Sequence, residues 1–254
     1  MTDRQHKQTT QSVQRCLDIL EAVAASDGPV GVSSLARDVG LSKATTYRLC
    51  QTLVDRHFLE QHPQTGEYQL GWRLLRITSR VMGRIPFANI CRPTLEQMAA
   101  QGRQNAFAAA VLDHRGMIVC EEVRVPNAVQ PQSLLGQRWG LLEAPGGLLC
   151  LARLPDDTLR RAVKDLLRSS LDSHSLQDVL NRVYSMRGCA HVRHAGVGNA
   201  NIATICSPVT GRHGQVVGVV GFCYVILPVD GADEENLARI CGQSAALLSA
   251  SVTD

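Results

Sequence analysis

Apolar residues recur along this chain with two periods, and most interruptions fall on glycine, proline or polar clusters. After Ser12, the residues Val13, Cys16, Leu17, Leu20, Val23 and Ala24 keep helical spacing until Asp27-Gly28-Pro29 breaks it. Ser33 and Ser34 offer a cap to a short helix over Leu35 to Val39, which Gly40 ends. Ser42 starts a third helix, from Lys43 to about Arg56. Tyr47, Cys50, Leu53 and Val54 share one stripe of it at core-facing spacing, leaving Lys43, Thr45, Thr46, Arg48, Gln51 and Thr52 on the other faces. Phe58-Leu59-Glu60 and Tyr68-Gln69-Leu70 then flank HPQTGE, whose Pro63 and Gly66 predict a hairpin turn. Leu74, Leu75, Ile77, Val81 and Met82 predict a further helix to Arg84, and Pro86 marks its end.

Beyond Pro86 the two periods alternate. Helices are predicted over Phe87 to Ala100, Leu148 to Leu154, Asp156 to Arg168, Leu176 to Arg187 and Glu234 to Val252. Strands are predicted over Asn105 to Leu112 and Met117 to Val125, around the turn at 113–116, and over Ala203 to Val209 and Gln215 to Val225, around Gly211 to Gly214. Helices bracketing a sheet that ends in a hairpin predict an α+β domain with a largely antiparallel sheet. The boundaries read as 1–72 for the N-terminal domain, 73–85 for a linker helix and 86–254 for the C-terminal domain.

A short helix joined by the tight GLS turn to a longer one is the helix-turn-helix arrangement, and the hairpin after it supplies a wing. In that arrangement the later helix lies in the major groove of DNA, which gives the polar row on Lys43 to Arg56 a purpose. Charge agrees: the net excess of +3 falls within residues 1–84, which hold 11 Lys or Arg against 8 Asp or Glu. At 254 residues and 44% apolar content the chain has the makeup of an ordinary globular protein. The first dozen residues are polar, and the longest nearly apolar run, Val216 to Leu227, is too short to span a bilayer, so a cytoplasmic protein without a membrane partner is expected. The 9 cysteines form no CxxC pair and read as reduced, buried side chains. His191 and His194 form an HxxH without a third ligand nearby in sequence, so no metal or other cofactor is expected.

These segments resemble the IclR-type bacterial transcriptional regulators. The likeness is specific over residues 12–75, from SVQRCLDILEAVA through SSLARDVGLSKATTYRLCQTLVDRHFLE to TGEYQLGWRLL. It continues through AVLDHRGMIVCEEV, GLLEAPGGLLCLARLP, RGCAHV and ICSPVTGRHGQVVGVV. The resemblance implies a winged helix that binds double-stranded operator DNA, a linker helix, and a GAF-like effector domain for an organic or aromatic acid. It also implies a homodimer or homotetramer acting as repressor or activator. Lys43, Thr45 and Arg48 match positions of the family's recognition helix that face DNA, and the helix pattern adds Ser42, Thr46 and Gln51 around them. Arg48 suits the edge of a guanine, and Lys43 suits a base or a phosphate equally.

The effector domain departs from the family pattern. Leu142-Glu143-Ala144-Pro145-Gly146-Gly147 stands where the family has a His and a small hydroxyl residue, Thr204 where many members have a cysteine, and Arg193-His194 where an acidic pair is usual; the usual serines near Gly221 and Cys223 are absent. Pro145 and two glycines opening a helix still offer bare N–H groups to an anion. The expected effector site is therefore Gly146, Gly147 and Leu148 around a carboxylate, with Leu141, Glu143, Thr204, Gly221 and Cys223 lining it, and Glu143 as a buried carboxylate working against the acid. A competing reading gives the glycines to packing alone, and the missing polar pocket residues leave open a constitutive DNA-binding protein whose C-terminal domain only oligomerises. An enzyme using Cys206 or Cys223 with His191, His194 or His213 fits less well, because both cysteines sit in apolar strands, so no catalysis is expected.

Overall fold

The computed structural model describes residues 10–26, 28–83, 85–113, 116–126, 131–169, 175–195, 201–226 and 233–252. The chain divides into two compact units, Met1–Val81 and Met82–Asp254.

The N-terminal part comprises α1 (Gln11–Ala24), α2 (Val32–Asp38), α3 (Lys43–Asp55), β1 (Leu59–Gln61), β2 (Tyr68–Leu70) and α4 (Arg73–Met82). Ile19, Val23, Leu35, Cys50, Leu53, Leu59 and Tyr68 form its core. The buried side of α1 is centred on Ile19 and Val23, whereas Val13 and Leu17 are more than half exposed. The predicted stripe is thus rotated, because the apolar residues of α1 cover two faces and only one meets α2 and α3. α2 begins three residues before the predicted start, with Gly31 as N-cap: the Gly31 carbonyl accepts from Ser34 N at 3.1 Å and Leu35 N at 3.2 Å, so both serines lie inside the first turns. Its end follows the Schellman pattern. Leu41 N donates to Ala36 O at 2.9 Å and Gly40 N to Arg37 O at 3.3 Å, with Gly40 left-handed at φ 65°, a conformation glycine adopts without steric cost. This turn ends α2 and leads into the cap of α3.

The C-terminal part comprises α5 (Pro86–Gly102), β3 (Asn105–Asp113), β4 (Gly116–Val123), β5 (Arg138–Gly140), α6 (Pro145–Ala152), α7 (Asp156–Ser169), α8 (Leu176–Ser185), β6 (Val192–Ala195), β7 (Ile202–Thr210), β8 (Val216–Val225) and α9 (Glu234–Ser251). The strands form one antiparallel sheet in the order β5-β4-β3-β8-β7-β6. One face, through Ala106, Ala108, Ile205, Val220 and Phe222, packs on α5 and α9. The other, through Phe107, Ala109, Cys206, Val219 and Cys223, packs on α6, α7 and α8. A sheet covered on both faces leaves no solvent side, which explains the unbroken apolar run of β8. The fold is α+β. The two strands that the pattern does not predict, β5 and β6, are the short, polar edges of the sheet, where one face of alternation is lacking. The predicted turn at 113–116 includes residues 114 and 115, which lie outside the described residues. Among the described residues no helix is long and apolar enough to cross a membrane.

Candidate functional site

The N-terminal site is the outward side of α3. Ser42 caps it: its Oγ accepts from Thr45 N at 3.2 Å and shares a hydrogen bond with Thr45 Oγ1 at 2.8 Å. At 3.6 residues per turn, Thr46, Leu49, Cys50 and Leu53 share the inward arc. Thr46 is fully buried and its hydroxyl donates to Ser42 O at 3.0 Å, so it belongs to the core and leaves the DNA-facing set. Tyr47, read from the pattern as core, is 49% exposed. The stripe is rotated by one residue because the inward arc tolerates a threonine whose hydroxyl is satisfied within its own helix. Lys43 and Arg48 are exposed, and neither forms an ion pair with a described residue. Gln51 is half-buried, and its amide hydrogens are directed at the wing: Nε2 donates to Gln61 Oε1 at 3.1 Å and to Tyr68 Oη at 3.2 Å. Its place among direct DNA contacts is therefore withdrawn. The outward face that remains is Lys43, Thr45, Tyr47 and Arg48, beside the β1–β2 wing.

The C-terminal site lies on the sheet face under α6. Gly146 and Gly147 open that helix without a side-chain cap. They are close-packed: a Cβ on Gly147 would lie 2.5 Å from both Cα and O of Leu141, and one on Gly146 would lie 3.2 Å from Val219 Cγ2 and 3.5 Å from Cys206 Sγ. The Leu148 amide already donates to Ala144 O at 3.1 Å, so it has no place in an anion cradle. Glu143 is exposed, which removes the buried carboxylate expected beside the acid. Leu141 is buried with its backbone against Gly147, and Gly221 sits where a side chain would strike Ile205 O and Cys206. These residues make the contact between α6 and the sheet.

Register brings other polar groups together. His194, Thr204, Cys223 and Asn105 are direct cross-strand partners in sequence across β6, β7, β8 and β3, so their side chains form one row on the α6 face. The row is one side-chain step, about 7 Å along the strand, from Cys206 and Gly221. Thr204, Cys223 and Asn105 are buried. His194 Nδ1 is buried without a hydrogen-bond partner among the described residues. Burial, then the charges of Arg182 and Arg193, lower the His194 pKa, so its ring is neutral at pH 7. Glu122, opposite Phe107 on the same face, accepts from Ser133 Oγ at 2.6 Å and Leu134 N at 3.4 Å. The sequence reading missed His194, Asn105 and Glu122 as members of this face, because β6 was not predicted and cross-strand register is not written locally.

Burial raises the Cys206 thiol well above its usual range and pushes Cys223 up to about 12, so neither supplies a thiolate at neutral pH. His191 is exposed, and His213 sits in the exposed turn between β7 and β8. This arrangement suits packing and recognition, not nucleophilic attack.

A winged helix that presents a cationic, capped recognition helix defines a DNA-binding protein. Residues 12–63 match the IclR helix-turn-helix domain. The chain is 22% identical over 245 residues to the HTH-type transcriptional regulator XynR of Escherichia coli, covering 94% of this chain and 96% of that one. It is 24% identical over 188 residues to the transcriptional repressor IclR of the same organism, covering 73% and 67%. Among solved structures, an IclR homolog from Microbacterium hydrocarbonoxydans complexed with 4-hydroxybenzoate shares the fold with a TM-score of 0.68 at 18% identity, covering 94% of this chain and 98% of that one. Residues 12–63 thus carry an IclR helix-turn-helix domain, and the whole chain is similar to transcriptional regulators of the IclR type.

Proposed function

We propose that this regulator binds an operator through Lys43, Thr45, Tyr47 and Arg48, and that a small organic acid bound on the α6 face of the C-terminal sheet controls that binding. The observation that carries the first half is the pair of exposed cations, without an ion-pair partner among the described residues, on the outward side of a helix whose inward residues Thr46, Cys50 and Leu53 are buried in the core. Arg48 reads a guanine edge at about 1–3 kcal/mol of discrimination, and Lys43 holds a base or a phosphate. The protein acts as a homodimer or homotetramer. Val13 and Leu17 on α1 and Leu75, Ile77 and Val81 on α4 are exposed apolar side chains that support self-association. Effector binding then changes the spacing of paired recognition helices relative to half-sites about one DNA turn apart.

The polar row of His194, Thr204 and Cys223 supports the effector half, as does the 4-hydroxybenzoate in complex with the Microbacterium homolog. Two measurements test the proposal. In fluorescence anisotropy on a duplex selected from random DNA by the wild-type protein, Arg48→Ala should weaken binding roughly 5- to 150-fold with the fold intact; full affinity would refute the recognition face. In a thermal-shift screen against aromatic and short aliphatic acids with matching amides and alcohols, a concentration-dependent rise confined to acids is expected. No shift across that panel would transfer the reading to the constitutive DNA-binding protein.

A further inference from the structure

The carboxamide of Gln51 starts a chain of hydrogen bonds that runs from α3 into the tip of the wing. Both of its bonds leave the helix: to Gln61 on β1 and to Tyr68 on β2. Gln61 Nε2 in turn donates to Gly66 O at 2.9 Å, inside the wing turn. That turn is closed by Gly66 N donating to His62 O at 2.9 Å, and His62 Nδ1 accepts from the amides of Gln64 at 3.4 Å and Thr65 at 3.3 Å. A glutamine has two amide hydrogens, and Gln51 uses both in this chain. The wing strands are only three residues each, and a hairpin of that length is marginal without support from packing. A tie from the recognition helix to the wing turn therefore has strong leverage on where the turn sits.

We infer that Gln51 and Gln61 are positioning residues that lock the wing turn to the recognition helix, so that helix and wing meet operator DNA as one preset unit. This rests on the reading of α3 as the recognition helix. It differs from the simpler view in which Gln51 and Gln61 each touch DNA independently. A strut fails when either end is cut, so the second cut adds nothing, whereas independent contacts lose affinity separately.

The test is a double-mutant cycle in the full-length protein with Gln51→Met and Gln61→Met, which keep side-chain length and remove the amides. The probe is a duplex selected from random DNA by the wild-type protein. Each single variant should weaken binding by a similar factor, roughly 3- to 10-fold, and the double variant by no more than the weaker-binding single. Hydroxyl-radical footprints should lose protection at the flanks reached by the wing and retain it at the centre reached by α3. Multiplying losses, unchanged affinity in either single, or an unchanged footprint would overturn the inference. Gln61→Met lies outside α3 and carries the footprint test alone if Gln51→Met does not fold. Arg48→Ala is run alongside: full affinity in that variant brings down the recognition face, whereas reduced affinity there with multiplying losses in the cycle brings down only the strut.

Discussion

Replacing Gly147 by alanine puts a methyl group where the backbone of Leu141 already lies. The new Cβ would be 2.5 Å from Leu141 Cα and O and 2.8 Å from its carbonyl carbon, and backbone atoms do not swing aside as the end of a side chain does. Overpacking of this kind costs about 1–3 kcal/mol. Alanine returns at most about 1 kcal/mol over glycine through helix propensity, and neither glycine has a positive φ that would add strain. Because the clash is with backbone, the upper part of that cost applies, about 2–3 kcal/mol, and the net expectation for Gly147→Ala is a loss of about 1–2 kcal/mol. Gly146→Ala meets only side-chain atoms, Val219 Cγ2 at 3.2 Å and Cγ1 at 3.4 Å and Cys206 Sγ at 3.5 Å, so the same propensity gain leaves it within about 0.5 kcal/mol of wild type. For a domain of this size about 1 kcal/mol moves Tm by roughly 2–4 °C, so calorimetry should separate the variants by several degrees. Equal melting of the two would refute the packing account of α6. Loss of effector response in Gly146→Ala with unchanged stability would return the helix opening to the effector site.

Three further outcomes follow from the same geometry. Thr46→Val removes a hydroxyl that donates to Ser42 O, but that carbonyl still accepts from Thr46 N at 2.9 Å; a stability loss of about 0.5–1 kcal/mol by denaturation, with operator affinity unchanged by anisotropy, is expected, and weakened binding without a stability change would restore Thr46 to the DNA face. The lowered His194 pKa makes the neutral ring the folded form, so its contribution to stability is present above about pH 6.5 and is lost as pH falls from there through the folded pKa; thermal melts from pH 7.5 to 5 should fall less steeply in His194→Gln than in wild type. Iodoacetamide on the native protein should label the half-buried Cys189 before the fully buried Cys206 and Cys223, and rapid selective loss of either strand cysteine at neutral pH would reopen the nucleophile reading.

Much of this protein is written locally. The cap at Ser42, the glycine after α2, the turn residues of the wing and the apolar runs of β3, β7 and β8 are signals carried by neighbouring residues, so the sequence by itself determined a helix-turn-helix with a wing and an antiparallel α+β domain. Which side of each helix is buried is a different kind of fact. It depends on what packs against the helix, and this is why Thr46 and Ile19 turn inward while Tyr47, Val13 and Leu17 turn out. Tertiary structure also decided that Gln51 reaches the wing and not the solvent, since Gln61 and Tyr68 lie 10 and 17 residues away in sequence. Only strand register could align His194, Thr204, Cys223 and Asn105, drawn from four strands, into one row. Caps and turns act over four residues, whereas a binding face is assembled by backbone pairing between segments that have no local means of specifying one another.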